Sequence, residues 1–204
     1  MKRKMSLFST LPVIFLFLMA SCTTTLTNVW KYENYQGGPF KKVFVLVALQ
    51  DPVIKRLLED ELVSQLKAHG TDSVASYTFF FHHFISDKES ITSKIKELES
   101  EAVLIMRLIK IEKEEIYVPK KYIIPTWYYD WYSYYSRGFG YIQNPAYKDE
   151  NFLVIMETNM YDTKNEKLIW FARSEILTVS CGCQEIKPFI KVIIDRLSSD
   201  QLIK

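Results

Sequence analysis

Hydrophobic positions along this chain change their period several times, and each change marks an element. "VFVLVAL", residues 43–49, is continuously apolar and rich in β-branched residues. That composition predicts a strand covered on both faces. From Pro52 the spacing lengthens to four, with Ile54, Leu58, Leu62 and Leu66 on one side of a helix. Asp51 stands where an N-cap belongs, Pro52 suits the first helical position, and Gly70 supplies the stop. "SVASYTFF" reads as a second strand, residues 73–80. Ser86-Asp87-Lys88-Glu89 has the spacing of a capping box, and Ile91, Ile95 and Leu98 give the next helix its stripe. "AVLIMRLIKI" is a third, buried strand, extending outward through residues 110–118. "FLVIMETNMYD" and "KLIWFARSEIL", either side of "TKNE", predict an antiparallel hairpin. A last helix carries Ile186, Phe189, Ile190, Ile193 and Leu197 on one face.

Strand–helix–strand–helix–strand units place strands parallel, with helices on the sheet faces. The hairpin then adds antiparallel strands. The expected fold is α/β: a five-stranded mixed sheet with helices on both faces, in the order βαβαβββα. The folded domain is expected over residues 43–204.

The chain's first 21 residues follow a different logic. Lys2, Arg3 and Lys4 precede an apolar run from Leu11 to Met19, which is the length of a signal-peptide core and too short for a stable membrane span. The small residues Ala20 and Ser21 then lead to Cys22. Leu18-Met19-Ala20-Ser21-Cys22 resembles the lipobox of bacterial lipoproteins. The resemblance implies a thiol that receives a diacylglyceryl group and a leader cut before Cys22. Each buried methylene contributes about 0.8 kcal/mol, so two or three chains anchor a protein that does not span the bilayer. By resemblance to lipoprotein sorting, Thr23 in place of Asp implies the outer membrane of a Gram-negative host, with the domain on its periplasmic face. Residues 22–42, with Gly37-Gly38-Pro39 inside, read as a lipidated tether that would span roughly 25 Å if flexible. Val29 and Trp30 leave an alternative open, either lying in the tether or packing on the domain, since a lone Trp in a linker is usually buried somewhere.

Without the leader, charge ceases to be informative. The leader holds three basic residues and no acidic one, so the chain's 26 basic residues fall to 23 against 24 acidic. Nothing in that balance argues for nucleic acid as a partner.

The element order resembles small envelope lipoproteins, among them outer-membrane activators of peptidoglycan synthases. It is also similar to the N-terminal domain of the periplasmic Tol propeller protein and to part of the curli-secretion lipoprotein. The implied fold is that of the anticodon-binding domain of class II tRNA synthetases. "NVWKYENYQGGPFKKVFVLV", "EDELVSQLKAHGTDSVASYTFF", "ETNMYDTKNEKLIWFA" and "IKPFIKVIIDRLSSDQLI" resemble a set of uncharacterised bacterial lipoproteins. These motifs carry fold and no active site.

Candidate chemistry is sparse. Cys181 and Cys183 flank a single glycine, a spacing that strains a disulfide. With His82 and His83 they make a zinc-type donor set, but adjacent histidines rarely aim at one ion and no CxxC spacing supports them. No metal and no cofactor is therefore expected. Glu59, Asp60 and Glu61, and likewise Glu112, Glu114 and Glu115, read as solvated faces, with Lys55–Glu59 and Arg56–Asp60 as helical ion pairs. No nucleophile–base pair or phosphate loop is recognisable, so the expectation is a protein that is not an enzyme.

One segment departs from this plain background. Residues 122–147 hold 11 of the chain's 30 aromatic residues, within an insertion spanning 119–149 between the third strand and the hairpin. Pro125, Gly138, Gly140 and Pro145 argue against a regular helix. Tyr and Trp combine an apolar body with a polar tip and make good contact surfaces. The candidate surface is Trp127, Tyr128, Tyr129, Trp131, Tyr132, Tyr134, Tyr135, Phe139 and Tyr141. The bland alternative is a cap packed over one end of the sheet. The sequence therefore suggests a non-enzymatic envelope lipoprotein that contacts the membrane through its lipid and another envelope protein through the insertion. The alternative function is a module that stacks glycan or peptidoglycan on the same rings.

Overall fold

The computed structural model describes residues 24–80, 87–113, 129–137, 152–178 and 186–204. Its elements in chain order are β1 (Thr24–Lys31), β2 (Lys42–Ala48), α1 (Pro52–Ala68), β3 (Asp72–Ala75), a 3-10 turn (Ser76–Thr78), α2 (Lys88–Glu97), β4 (Ala102–Lys113), α3 (Trp131–Arg137), β5 (Phe152–Asp162), β6 (Leu168–Thr178) and α4 (Ile186–Ser199). The strands form one mixed sheet of six, in the order β1-β6-β5-β4-β2-β3. β2 pairs in parallel with both β3 and β4, whereas β4–β5, β5–β6 and β1–β6 are antiparallel.

Alternation along the central strands builds two cores. Val43, Val45 and Val47 of β2, with Leu104 and Met106 of β4, face α1 and α4. Phe44, Leu46 and Ala48, with Val103 and Ile105, face the opposite side, where α2 and α3 lie. Both strands are therefore buried on both faces, as their continuous apolar runs predict.

The helix signals are read correctly at α1. Asp51 accepts from the amides of Val53 and Ile54, Pro52 opens the helix, and Gly70 takes a φ of +80° just beyond its end. Leu58, Leu62 and Leu66 are buried and Ile54 partly so. On α4, Phe189, Ile190, Ile193 and Leu197 are fully buried, joined by Ile194. The hairpin forms as read, β5 and β6 being joined by a turn at 163–167.

Four readings need correction. The sheet has six strands and not five, because the segment read as a tether supplies β1. Its alternating Thr and apolar residues add to the exposed side of β6, with Val29 resting on one core and Trp30 on the other. Lys31 fastens the strand's end by donating to the carbonyl of Asp200, 2.6 Å away. Second, the strand expected over 73–80 ends at Ala75. The chain then turns because Ser76 Oγ and the Tyr77 amide both donate to Glu59. Third, α2 is capped by Asp87, whose carboxylate accepts from the Ser90 amide at 2.8 Å, one residue later than the capping-box reading. Fourth, there are four described helices rather than three. α3 arises inside the insertion, where Pro and Gly argued against one, because residues 131–137 contain neither.

The buried stripes set the expected stability effects. Leu62→Ala or Ile190→Ala should each cost about 2–5 kcal/mol, the range for emptying a packed leucine or isoleucine site. Val53→Ala, on the exposed start of α1, should change stability by no more than about 0.5 kcal/mol. Urea titration of the three variants checks this, and similar losses in all three would mean the buried face has been misassigned.

Candidate functional site

The buried charged groups among the described residues, Glu59, Arg107 and Glu157, sit on the α3 side of the sheet and at the carboxyl ends of β2 and β3. Register brings Arg107 of β4, Glu157 of β5 and Arg173 of β6 side by side in one row across three strands. Glu157 is completely buried and Arg107 is 7% exposed, and the guanidinium donates to the Glu157 carboxylate at 3.2 Å. Residues two apart on a strand share a face, so Asn159 and Tyr161 continue the polar column along β5. Asn159 Nδ2 donates to the Tyr161 hydroxyl at 2.9 Å.

α3 roofs this column. Its Tyr134 ring lies 4.7 Å from the Arg107 guanidinium carbon and 6.3 Å from the Tyr161 ring. A guanidinium against an aromatic face is favourable, and more so where water is excluded. The helix is capped by Asp130, whose carboxylate accepts from the amide and hydroxyl of Ser133. The same carboxylate lies 3.6 Å from Lys88 at the start of α2, and Lys88 also reaches Glu166 in the β5–β6 turn. α3 is thus held at its start through Asp130 and at its middle through Tyr134 over the charged row.

A second knot sits at the carboxyl edge of the parallel strands. Glu59 of α1 is fully buried and accepts from the Val47 amide, Ser76 Oγ and the Tyr77 amide at 3.0, 2.7 and 3.0 Å. It is not part of a solvated face, although its neighbours are: Arg56 and Asp60 form the expected ion pair, and Asp60 accepts from the Tyr77 hydroxyl. Burial pushes the Glu59 carboxyl above the usual range, against the opposing pull of Lys55 and the three donors. Tyr135 of α3 feels that carboxylate. Its burial, reinforced by the Glu59 charge, holds its phenol far above the ordinary range, and burial does the same to Tyr161. Both phenols therefore stay protonated at physiological pH, and the Tyr161 hydroxyl serves as acceptor for Asn159.

The predicted contact residues divide. Trp131, Tyr134 and Tyr135 are 3%, 0% and 2% exposed and belong to the core, which removes them from any contact surface. Tyr132 is partly buried, edge-on to Trp131 at 5.7 Å, while Tyr129 is 52% exposed. Trp127, Tyr128, Phe139 and Tyr141 lie outside the described residues, as do Cys22, His82, His83, Cys181 and Cys183. Among the described residues no group of three His, Cys, Asp or Glu could hold a metal ion. None of their helices is long and apolar enough to cross a membrane.

Sequence reasoning missed Arg107, Glu157 and Arg173. The signal was present: each of three successive strands carries charge inside an apolar run, at positions that the hairpin register aligns.

No protein-family model and no curated protein matches the chain. Solved structures to which the chain is similar include a PelC dodecamer from Paraburkholderia phytofirmans, 14% identical over 89% of this chain and 100% of that one, with a TM-score of 0.48. Lipoprotein GNA1162 from Neisseria meningitidis is 10% identical over 78% of this chain and 98% of that one, with a TM-score of 0.42. A minor lipoprotein from Acinetobacter baumannii is 14% identical over 80% of this chain and 97% of that one, at a TM-score of 0.29. Structures similar to this chain thus include bacterial lipoproteins.

Two tests address the buried charges. Glu157→Ala leaves cations facing a dry interior and should cost about 3–5 kcal/mol, with loss of near-ultraviolet circular dichroism as Tyr134 comes free. Retention of full stability would show that the row is hydrated. For Glu59, a folded-state pKa raised above the unfolded value means that the native state binds the extra proton. Its contribution is complete below about pH 4.3 and is lost as pH rises through the folded value. Stability of the natural protein minus that of Glu59→Gln, measured in urea from pH 4.5 to 8, should therefore decline with rising pH. An increase would contradict the assigned direction.

Proposed function

We propose that this chain is a lipoprotein of the cell envelope, anchored in the outer membrane with its domain on the periplasmic face, and that it acts by binding rather than by catalysis. One observation carries the reading: the basic start, short apolar run and Leu18-Met19-Ala20-Ser21-Cys22 sequence, with a strand beginning at Thr24. A thiolate nucleophile so placed suits transfer of a diacylglyceryl group to sulfur. The succession β2–α1–β3–α2–β4, then a hairpin and α4, supports an anticodon-binding-domain-like fold with β1 as an added edge strand.

The contact surface in this reading is smaller than the aromatic count suggests. With Trp131, Tyr134 and Tyr135 occupied in the core, the described positions left for contact are the exposed Tyr129 and the partly buried Tyr132, and Trp127, Tyr128, Phe139 and Tyr141 remain candidates from the sequence. The partner class is another envelope protein, met by half-wet aromatic rings.

Replacing Cys22 with Ser should block lipidation, so that an unprocessed precursor accumulates and the mature membrane-bound form disappears. Normal maturation and membrane fractionation of that variant would end the anchor reading. A photocrosslinking residue at position 129 should, in intact cells, trap one envelope protein that the same residue at position 53 does not trap.

A further inference from the structure

The strand ends limit where the anchor can sit. β1 begins at Thr24, two residues after Cys22, so the lipidated residue must lie within about 7 Å of the first Cα of β1. No twenty-residue tether separates lipid from domain. Thr24 stands opposite Ile176 of β6, which stands opposite Val154 of β5 and, through it, Ile111 of β4. The anchor therefore emerges at the end of the sheet where β4 and β6 finish and β5 begins.

This end projects. β2 stops at Ala48, opposite Arg107, whereas β4 continues through Lys113. β4, β5 and β6 thus reach about 20 Å beyond the end of β2, and β1 about 13 Å. The rim of the projection carries apolar residues among charged ones: Leu153 stands opposite Leu177, which is 40% exposed, with Leu26, Val154 and Ile111 partly buried beside them and Lys110, Glu112 and Glu175 on the same strand ends. The far end of the sheet is polar, with Asp162, Lys164, Asn165, Glu166 and Lys167 at the β5–β6 turn.

We propose that the projecting end of β1, β4, β5 and β6 is seated on the lipid bilayer itself, with the strands running away from the membrane and the β5–β6 turn held about 35 Å from it. The proposal rests on lipidation of Cys22. Acyl chains cannot leave the bilayer without exposing their methylenes, and two residues allow the strand ends little retreat from it. Apolar side chains at the rim meet the headgroup and acyl boundary, and the charged turn meets water. The domain is thereby oriented with its β5–β6 turn presented to the periplasm.

The test uses the full lipidated protein in phosphatidylethanolamine–phosphatidylglycerol vesicles containing a doxyl-labelled lipid. A fluorescent non-natural amino acid replaces Thr25 in one sample and Lys164 in another. Quenching should be several-fold stronger at position 25. Equal quenching, or stronger quenching at position 164, overturns the proposed orientation. Leu177→Asp should weaken quenching at position 25, and unchanged quenching there would show that the rim does not meet lipid. Mass spectrometry of the N-terminal peptide is read separately: an unacylated Cys22 defeats the anchor reading, whereas an acylated Cys22 with equal quenching defeats only the seating.

Discussion

A sheet whose central strands are apolar on both faces must be covered on both faces, and this constraint governs the rest of the molecule. β2 and β4 bury every residue from Val43 to Ala48 and from Ala102 to Arg107. One side is well supplied: α1 and α4 are 17 and 14 residues long and pack against each other as well as on the sheet. On the other side α2 has 10 residues and two fully buried aliphatics, Ile91 and Ile95. Ten residues of helix cover about 15 Å, which is too little for the sheet beneath. The aromatic insertion completes that cover, because Trp131, Tyr134 and Tyr135 bring large rings on a helix of only 7 residues. Aromatic side chains bury more area per residue than aliphatic ones, so a short segment does the work of a longer helix.

This division explains what was legible in the sequence. Elements whose pattern is local, such as the apolar run of β2, the four-residue spacing of α1 and the alternating hairpin, were visible residue by residue. The positions that were not visible depend on partners far away in sequence. β1 looked like linker because a strand of "TTLTNVWK" has no core of its own and becomes regular only against β6. Glu59 looked solvated because its neighbours Asp60 and Glu61 carry the same charge. What distinguishes it is that the last turns of two parallel strands aim three donors at it. β3 stopped early for the same reason: Ser76 and Tyr77 satisfy that carboxylate instead of a neighbouring strand.

The insertion shows how composition can mislead about role. Eleven aromatics in 26 residues suggested a surface, yet three of the rings turned inward. A ring count does not distinguish a rim from a lid. The better indicator was the charge buried beneath. Arg107 and Glu157 inside apolar strands need a roof that excludes water while tolerating a cation, and an aromatic face meets both conditions. A lone arginine in a central strand was therefore evidence that some aromatic residue elsewhere in the chain folds back over it.

The charged row also stands where the sheet changes width. Arg107 is the last residue of β4 with a partner on β2, and from Leu108 onward β4 lies at an edge among the described strands. An open edge can recruit other strands unless it is twisted away or charged. Both devices are present. The β4–β5 register shifts between Leu108 and Lys110, and Lys110 pairs with Glu112 two residues further along β4 itself. A bulge sharpens local twist, and a charge pair on an edge discourages edge-to-edge pairing. The same row thus ends the fully covered body of the domain and begins the projecting strands, whose edge, unpaired among the described strands, carries a kink and a charge pair. A projection built this way can reach an interface without becoming a template for aggregation, since its backbone edge is blunted by charge while Leu177 stays exposed near its end.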